Sequence, residues 1–147
     1  MPRLGLLLLA LTASACIGDR WWILQTTAPL PHTVPTECIR TSLSRLPGVD
    51  SVRVVPLLIT PTAVTDSIVA GMQFGVAGRN PDYGWITQRT RTDSSASLTT
   101  SWIVLGGKPP RDSIEYHKQL HATVLRAVSG DCAHIDPRLR VVEGDHL

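Results

Sequence analysis

The chain has 147 residues and a mass of 16.0 kDa, the size of one compact domain, which excludes two full enzyme domains. Hydrophobic residues make up 43% and charged residues 18%, enough apolar side chain for a core and too little charge for disorder along most of the length. The 14 Lys and Arg outweigh the 12 Asp and Glu by only +2, so there is no dense basic field to hold a nucleic-acid backbone, and no nucleic-acid partner is expected.

Met1, Pro2 and Arg3 make a short positive start, followed by an apolar run to Leu11 and then the small residues Thr12, Ala13, Ser14 and Ala15. Charge, apolar stretch and small side chains in that order predict a secretory signal over residues 1–15. The uncharged run from Leu4 to Ile17 would span about 21 Å as a helix, well short of the ~30 Å of bilayer hydrocarbon, so it is a poor permanent transmembrane helix.

Ala13-Ser14-Ala15-Cys16 resembles the lipobox of bacterial lipoproteins, with Ala13 in the place where Leu is usual. The resemblance covers the signal alone. It implies that Cys16 is lipidated and becomes the mature amino terminus, moored to a membrane by several acyl chains; two or more chains make a lasting anchor where one does not. Ile17, standing where an Asp would favour retention at the inner membrane, implies an outer-membrane lipoprotein facing the periplasm. Ala13-x-Ala15 also suits ordinary signal peptidase, so soluble periplasmic or secreted protein is the alternative, with an uncleaved anchor as a third.

The chain holds three cysteines, Cys16, Cys38 and Cys132, and an odd count in an exported protein leaves one thiol over. Lipidation of Cys16 removes it, leaving Cys38 and Cys132 as a pair in an oxidising compartment. A bridge between them closes a loop of about 95 residues, for which chain entropy gives roughly 4 to 5 kcal/mol. Two buried free cysteines are the alternative.

Residues 16–34 read as a tether, because Pro29, Pro31 and Pro35 alternate with Thr26, Thr27 and Thr33, and proline favours extended, semi-rigid chain. Within it, Trp21 and Trp22 suit either the headgroup level of a bilayer or the domain's own core. Residues 35–147 make one globular domain. A helix is predicted from Pro35 to Leu46, with Ile39, Leu43 and Leu46 at helical spacing and Pro47-Gly48 as its stop. A strand from Val49 to Val55 precedes Pro56 and Pro61, which assigns this segment to the sheet margin. In Ile68 to Val76 the residues Ile68, Ala70, Met72, Phe74 and Val76 alternate with smaller ones, and strands from Trp85 to Arg91 and Leu98 to Leu105 complete an antiparallel meander. The last helix is predicted from Asp112, capped reciprocally with Glu115, to Ser129, ended by Gly130. A short strand from Leu139 to Glu143 pairs with a sheet edge. The expected fold is an α+β two-layer sandwich, an antiparallel sheet of about four strands with both helices on one face; the bridge would staple the first helix to the end of the second.

Few residues suggest chemistry. His117 and His121 are one turn apart and interrupt the apolar stripe of Ile114, Val124 and Val128. They are candidates for a shared metal, with His134 or an acidic side chain as a further ligand, or else border the buried side of the helix. Gly71, Gly75 and Ala77 leave room for Trp85 or Trp102 to lie across the strand, and Trp85, Arg89 and Arg91 form a possible interaction face for a glycan, an anionic envelope component or a protein. Ser129-Gly130-Asp131 is no nucleophile elbow and Gly106-Gly107-Lys108 no phosphate loop. No catalytic constellation is recognised and no cofactor is expected. The sequence therefore predicts a non-enzymatic, lipid-anchored periplasmic domain that serves as an envelope accessory or partner-binding lipoprotein. The alternative is a lipoprotein binding a metal or small ligand through His117 and His121.

Overall fold

A computed structural model describes residues 20–55, 66–79, 82–91 and 94–146. Its elements in chain order are β1 (Trp21–Leu30), α1 (Thr36–Ser44), β2 (Val49–Val54), β3 (Asp66–Val76), β4 (Tyr83–Arg91), β5 (Ala96–Leu105), α2 (Arg111–Ala133) and β6 (Arg140–His146). All six strands join one antiparallel sheet in the order β2-β3-β4-β5-β1-β6. The α+β class with two helices against one antiparallel sheet is as expected; the strand number is six rather than about four. The signal segment 1–15 and Cys16 lie outside the described residues.

The largest departure is β1. Trp21–Leu30, read as part of a tether, is an inner strand between β5 and β6. Trp22, Leu24, Thr26, Ala28 and Leu30 are buried, whereas Trp21, Gln25 and Pro29 face solvent. This period-two alternation buries one whole face, and that outweighs the proline content. Pro29 is tolerated because β6 reaches only to Thr27, leaving Pro29 with a strand on one side alone. The two tryptophans consequently part, Trp22 into the core at 2% exposure and Trp21 outward.

The meander β3-β4-β5 runs as predicted and β2 is an edge strand. Ala70, Met72, Phe74 and Val76 of β3 point inward with Ile86 of β4 and Leu98 of β5. Opposite Phe74 stands Gly84, where a Cβ would overlap the phenyl ring; glycine is required by that close approach. Onto the same face pack Ile39 and Leu43 of α1 and Leu120, Val124, Leu125 and Val128 of α2. A smaller cluster at the start of α2 joins Trp22, Leu24, Trp102 and Ile114.

The helix ends differ from expectation. α2 is preceded by Pro110 in extended conformation with no side-chain cap, so Asp112 and Glu115 form no capping box. Asp112 lies instead in the first turn, where its charge favours the helix dipole. The helix also passes Gly130 and ends at Ala133, with His134 left-handed at φ 55°. His134 N–H donates to the Gly130 carbonyl and Ile135 N–H to that of Ser129, a reciprocal closure that satisfies the last carbonyls. The extra turn is held against α1 by the Cys38–Cys132 disulfide, Cα atoms 5.9 Å apart, and by the Ser42 hydroxyl donating to Asp131 at 2.7 Å. The bridge thus staples the first helix to the last turn of the second.

One buried polar side chain fixes the link between β1 and α1. Gln88, 2% exposed on the core face of β4, accepts from Val34 N–H at 2.7 Å and donates to the Val34 carbonyl at 3.0 Å. Both backbone groups of Val34 are satisfied by a single amide, which permits a proline-rich connection to cross the end of the core.

Candidate functional site on the uncovered sheet face

Because both helices take one side, the other side of the sheet has no element packed on it among the described residues. Strand parity decides what it shows. Trp85 stands opposite Gln73 on one side and Ser101 on the other, and Ser101 opposite Gln25. In the next row Thr87 lies between Gly71 and Thr99, and Thr99 opposite Thr27. Gln25 Nε2 donates to Ser101 Oγ at 3.4 Å and the Thr27 and Thr99 hydroxyls are 3.1 Å apart. The result is a half-buried indole on a sheet of hydroxyls and amides, with exposed Arg89 four residues along β4. A flat aromatic ring beside donors and acceptors can stack on a sugar ring or receive a polar protein surface.

Two details differ from the sequence reading. Trp102 belongs to the opposite face and is buried against α2, and Trp85 is opposite Gln73 rather than the small residues. The space at Gly75 is taken by the side chains of Asp50 and Ser51, which a Cβ there would strike. Of the proposed face, Trp85 and Arg89 share one side of β4; the Arg91 side chain lies outside the described residues.

His117 and His121 are brought together inside the molecule, both fully buried. His117 Nε2 donates to Asp82 Oδ2 at 2.7 Å, and Trp102 Nε1 donates to the other oxygen, Oδ1, at 2.9 Å. The His117 ring lies flat on Trp102, centroids 3.6 Å apart and planes within 8°. With its Nε2 hydrogen committed to Asp82, neutral His117 offers a bare Nδ1, which lies 3.5 Å from His121 Nε2. His121 Nδ1 is left without a partner and the ring meets the Phe74 edge. Burial holds His117 below its ordinary value, opposed by the Asp82 hydrogen bond and charge, with Arg79 adding a further lowering. Burial, with His117 second, pushes His121 down to about 3.

This arrangement is poor for a shared ion. The outer nitrogen of His117 is already on Asp82, and His134, the suggested further ligand, caps the far end of α2. No group of three or more His, Cys, Asp or Glu suited to a metal occurs among the described residues. What the network does is structural: Asp82, just ahead of β4, is tied to β5 through Trp102 and to α2 through His117. Sequence reasoning found the two histidines but not Asp82, which is 35 residues from His117. The available signal was a pair of histidines in an apolar stripe that needed an acceptor.

No protein-family model, no curated protein and no solved structure matches the chain.

Proposed function

We propose that the chain is a lipid-anchored, non-enzymatic domain of the outer membrane's periplasmic side that binds an envelope partner, a protein or a glycan, through the uncovered face of its sheet. The observation that carries this reading is the placement of Trp85 and Arg89 on a face rich in Ser, Thr and Gln that no described element covers. The rows from Trp85 to Arg89 are polar enough to stay wetted when free, and Trp85 supplies them with an aromatic anchor for a complex. The Cys38–Cys132 disulfide supports an oxidising compartment, and the lipobox-like Ala13-Ser14-Ala15-Cys16 supports the anchor. The buried network around His117 has a structural role in this reading.

The test is envelope fractionation combined with position-specific photocrosslinking. The chain is expected in the outer-membrane fraction, with a crosslinker at Trp85 giving a discrete adduct and one at Glu115, on the outer side of α2, giving none. Chain recovered from the cytosol, or adducts of equal yield at both positions, would overturn the proposal.

A further inference from the structure

Four of the large apolar residues left exposed lie together at one end of the uncovered face. Trp21 is 43% exposed, Tyr83 43%, Ile103 42% and Leu105 74%. Trp21 pairs with Leu105 and Ile23 with Ile103 across β1 and β5. Tyr83 stands two residues before Trp85, whose partner Ser101 is two residues before Ile103, so its side chain belongs to the same face and the same end. Scattered single hydrophobics need no explanation, but a contiguous group on adjacent strands marks a contact surface.

The position of this group names the contact. It lies where β1 begins, and Cys16 is only 5 residues before Trp21. Even fully extended, that spacer reaches about 18 Å. An acyl anchor on Cys16 therefore keeps this end of the sheet, and no other, within reach of the headgroups. The residue types fit an interface: a Trp and a Tyr, which combine an apolar ring with a polar tip, and two aliphatic side chains. The turn beyond β5 adds Gly106-Gly107, where a Cβ would meet nothing within 4 Å. Its Gly106 N–H donates to the Arg20 carbonyl at 2.8 Å, which ties the turn to the residue just before β1. Arg20, Arg79, Lys108 and Arg111 are exposed at this end, as are Asp50, Asp112 and Asp145, and the part-exposed Asp82 precedes Tyr83. Neither sign is in excess there, so apolar contact dominates and salt matters little.

We infer that Trp21, Tyr83, Ile103 and Leu105 form a bilayer seat, by which the domain rests on the phospholipid surface that holds its anchor. The inference rests on the lipid-anchor reading of Cys16 and adds to it an orientation. Trp21 enters the headgroup region, and the rows of Trp85 and Thr87 stand successively farther from the membrane, accessible to a partner.

The experiment uses the mature chain extracted from membranes, its acyl mass measured, and reconstituted in vesicles of phosphatidylethanolamine and phosphatidylglycerol. Phospholipids brominated near the headgroup end of the acyl chain serve as a shallow quencher. The difference in emission between the native chain and Trp21→Phe isolates the Trp21 signal. That signal is expected to be quenched about twofold. Ile103→Ser with Leu105→Ser should reduce the quenching while the chain stays anchored and its circular dichroism stays native. An acylated chain whose Trp21 signal is not quenched would overturn the seat and leave the anchor standing. A chain without acyl mass would overturn the anchor reading on which the seat depends.

Discussion

His117 and Trp102 lie face to face, 3.6 Å apart, and both donate to one carboxylate, that of Asp82. The Asp82 side chain is 23% exposed, so the acceptor sits at the mouth of the network and the donors behind it. A carboxylate receiving two N–H groups from different elements fixes the β3-β4 connection relative to both β5 and α2. Asp82→Ala would leave two donors without acceptors. The expected loss is about 1 to 3 kcal/mol, because water can reach only part of the vacated space. Urea denaturation measures it, and Asp82→Asn, which keeps one acceptor oxygen, should lose less.

His121 makes stability depend on pH. Its ordinary value of 6.5 is lowered to about 3 by burial, so in acid the unfolded chain takes up a proton that the folded one refuses. Stability is full above about pH 6.5 and falls as pH drops from there toward about 3. Near pH 4.5 this group alone removes about 2 to 3 kcal/mol relative to pH 7.5. His117 acts in the same direction, since burial lowers it too. His121→Leu should flatten the acid limb of a plot of unfolding free energy against pH. An unchanged slope would contradict this assignment.

The disulfide joins residues 94 apart in sequence. Reduction, or Cys38→Ala with Cys132→Ala, should lower stability by up to about 4 to 5 kcal/mol, the chain-entropy figure for a loop of that length. Thiol titration of the denatured, unreduced chain should find neither Cys38 nor Cys132 reactive. Two reactive thiols would contradict the bridge.

Gly84→Ala places a methyl group against the Phe74 ring. Phe74 is fully buried and in edge contact with the His121 ring, so it cannot move freely. The expected destabilisation is about 1 to 3 kcal/mol, as for other overpacked cores. Gly78→Ala serves as a contrast. No atom stands within 4 Å of its Cβ, so any loss there comes from its positive φ of 74° alone.

How far the sequence revealed the fold depended on whether a pattern was local. Alternation in Ile68 to Val76 and helical spacing from Ile114 to Val128 located β3 and α2, because each signal is complete within its own element. The stretch Trp21 to Leu30 alternates in burial but not in residue type, since Trp21 to Leu24 are all apolar and the buried face includes Thr26, and its prolines, threonines and closeness to the signal favoured a tether. What makes it a strand is its pairing with β5 and β6, whose partner residues lie 66 to 125 positions away, from Leu30 with Ala96 to Trp21 with His146. That segment is the one strand of the six that no expected strand corresponds to. At the candidate site the same limit applies. Trp85 and Arg89 share a strand face and were legible together, whereas Asp82 meets His117 only through tertiary packing. The helix ends were misplaced because Pro110 holds the cap position, and because the disulfide and Asp131 support a turn beyond Gly130.

Lipid on Cys16 is the proposed mooring of this domain, and intact mass spectrometry of the membrane-extracted protein is its decisive test. The predicted result is a mature chain beginning at Cys16 with added acyl mass, absent from a Cys16→Ser variant. A full-length chain retaining Met1 to Ala15, or a mature chain whose Cys16 carries no acyl group, would contradict it.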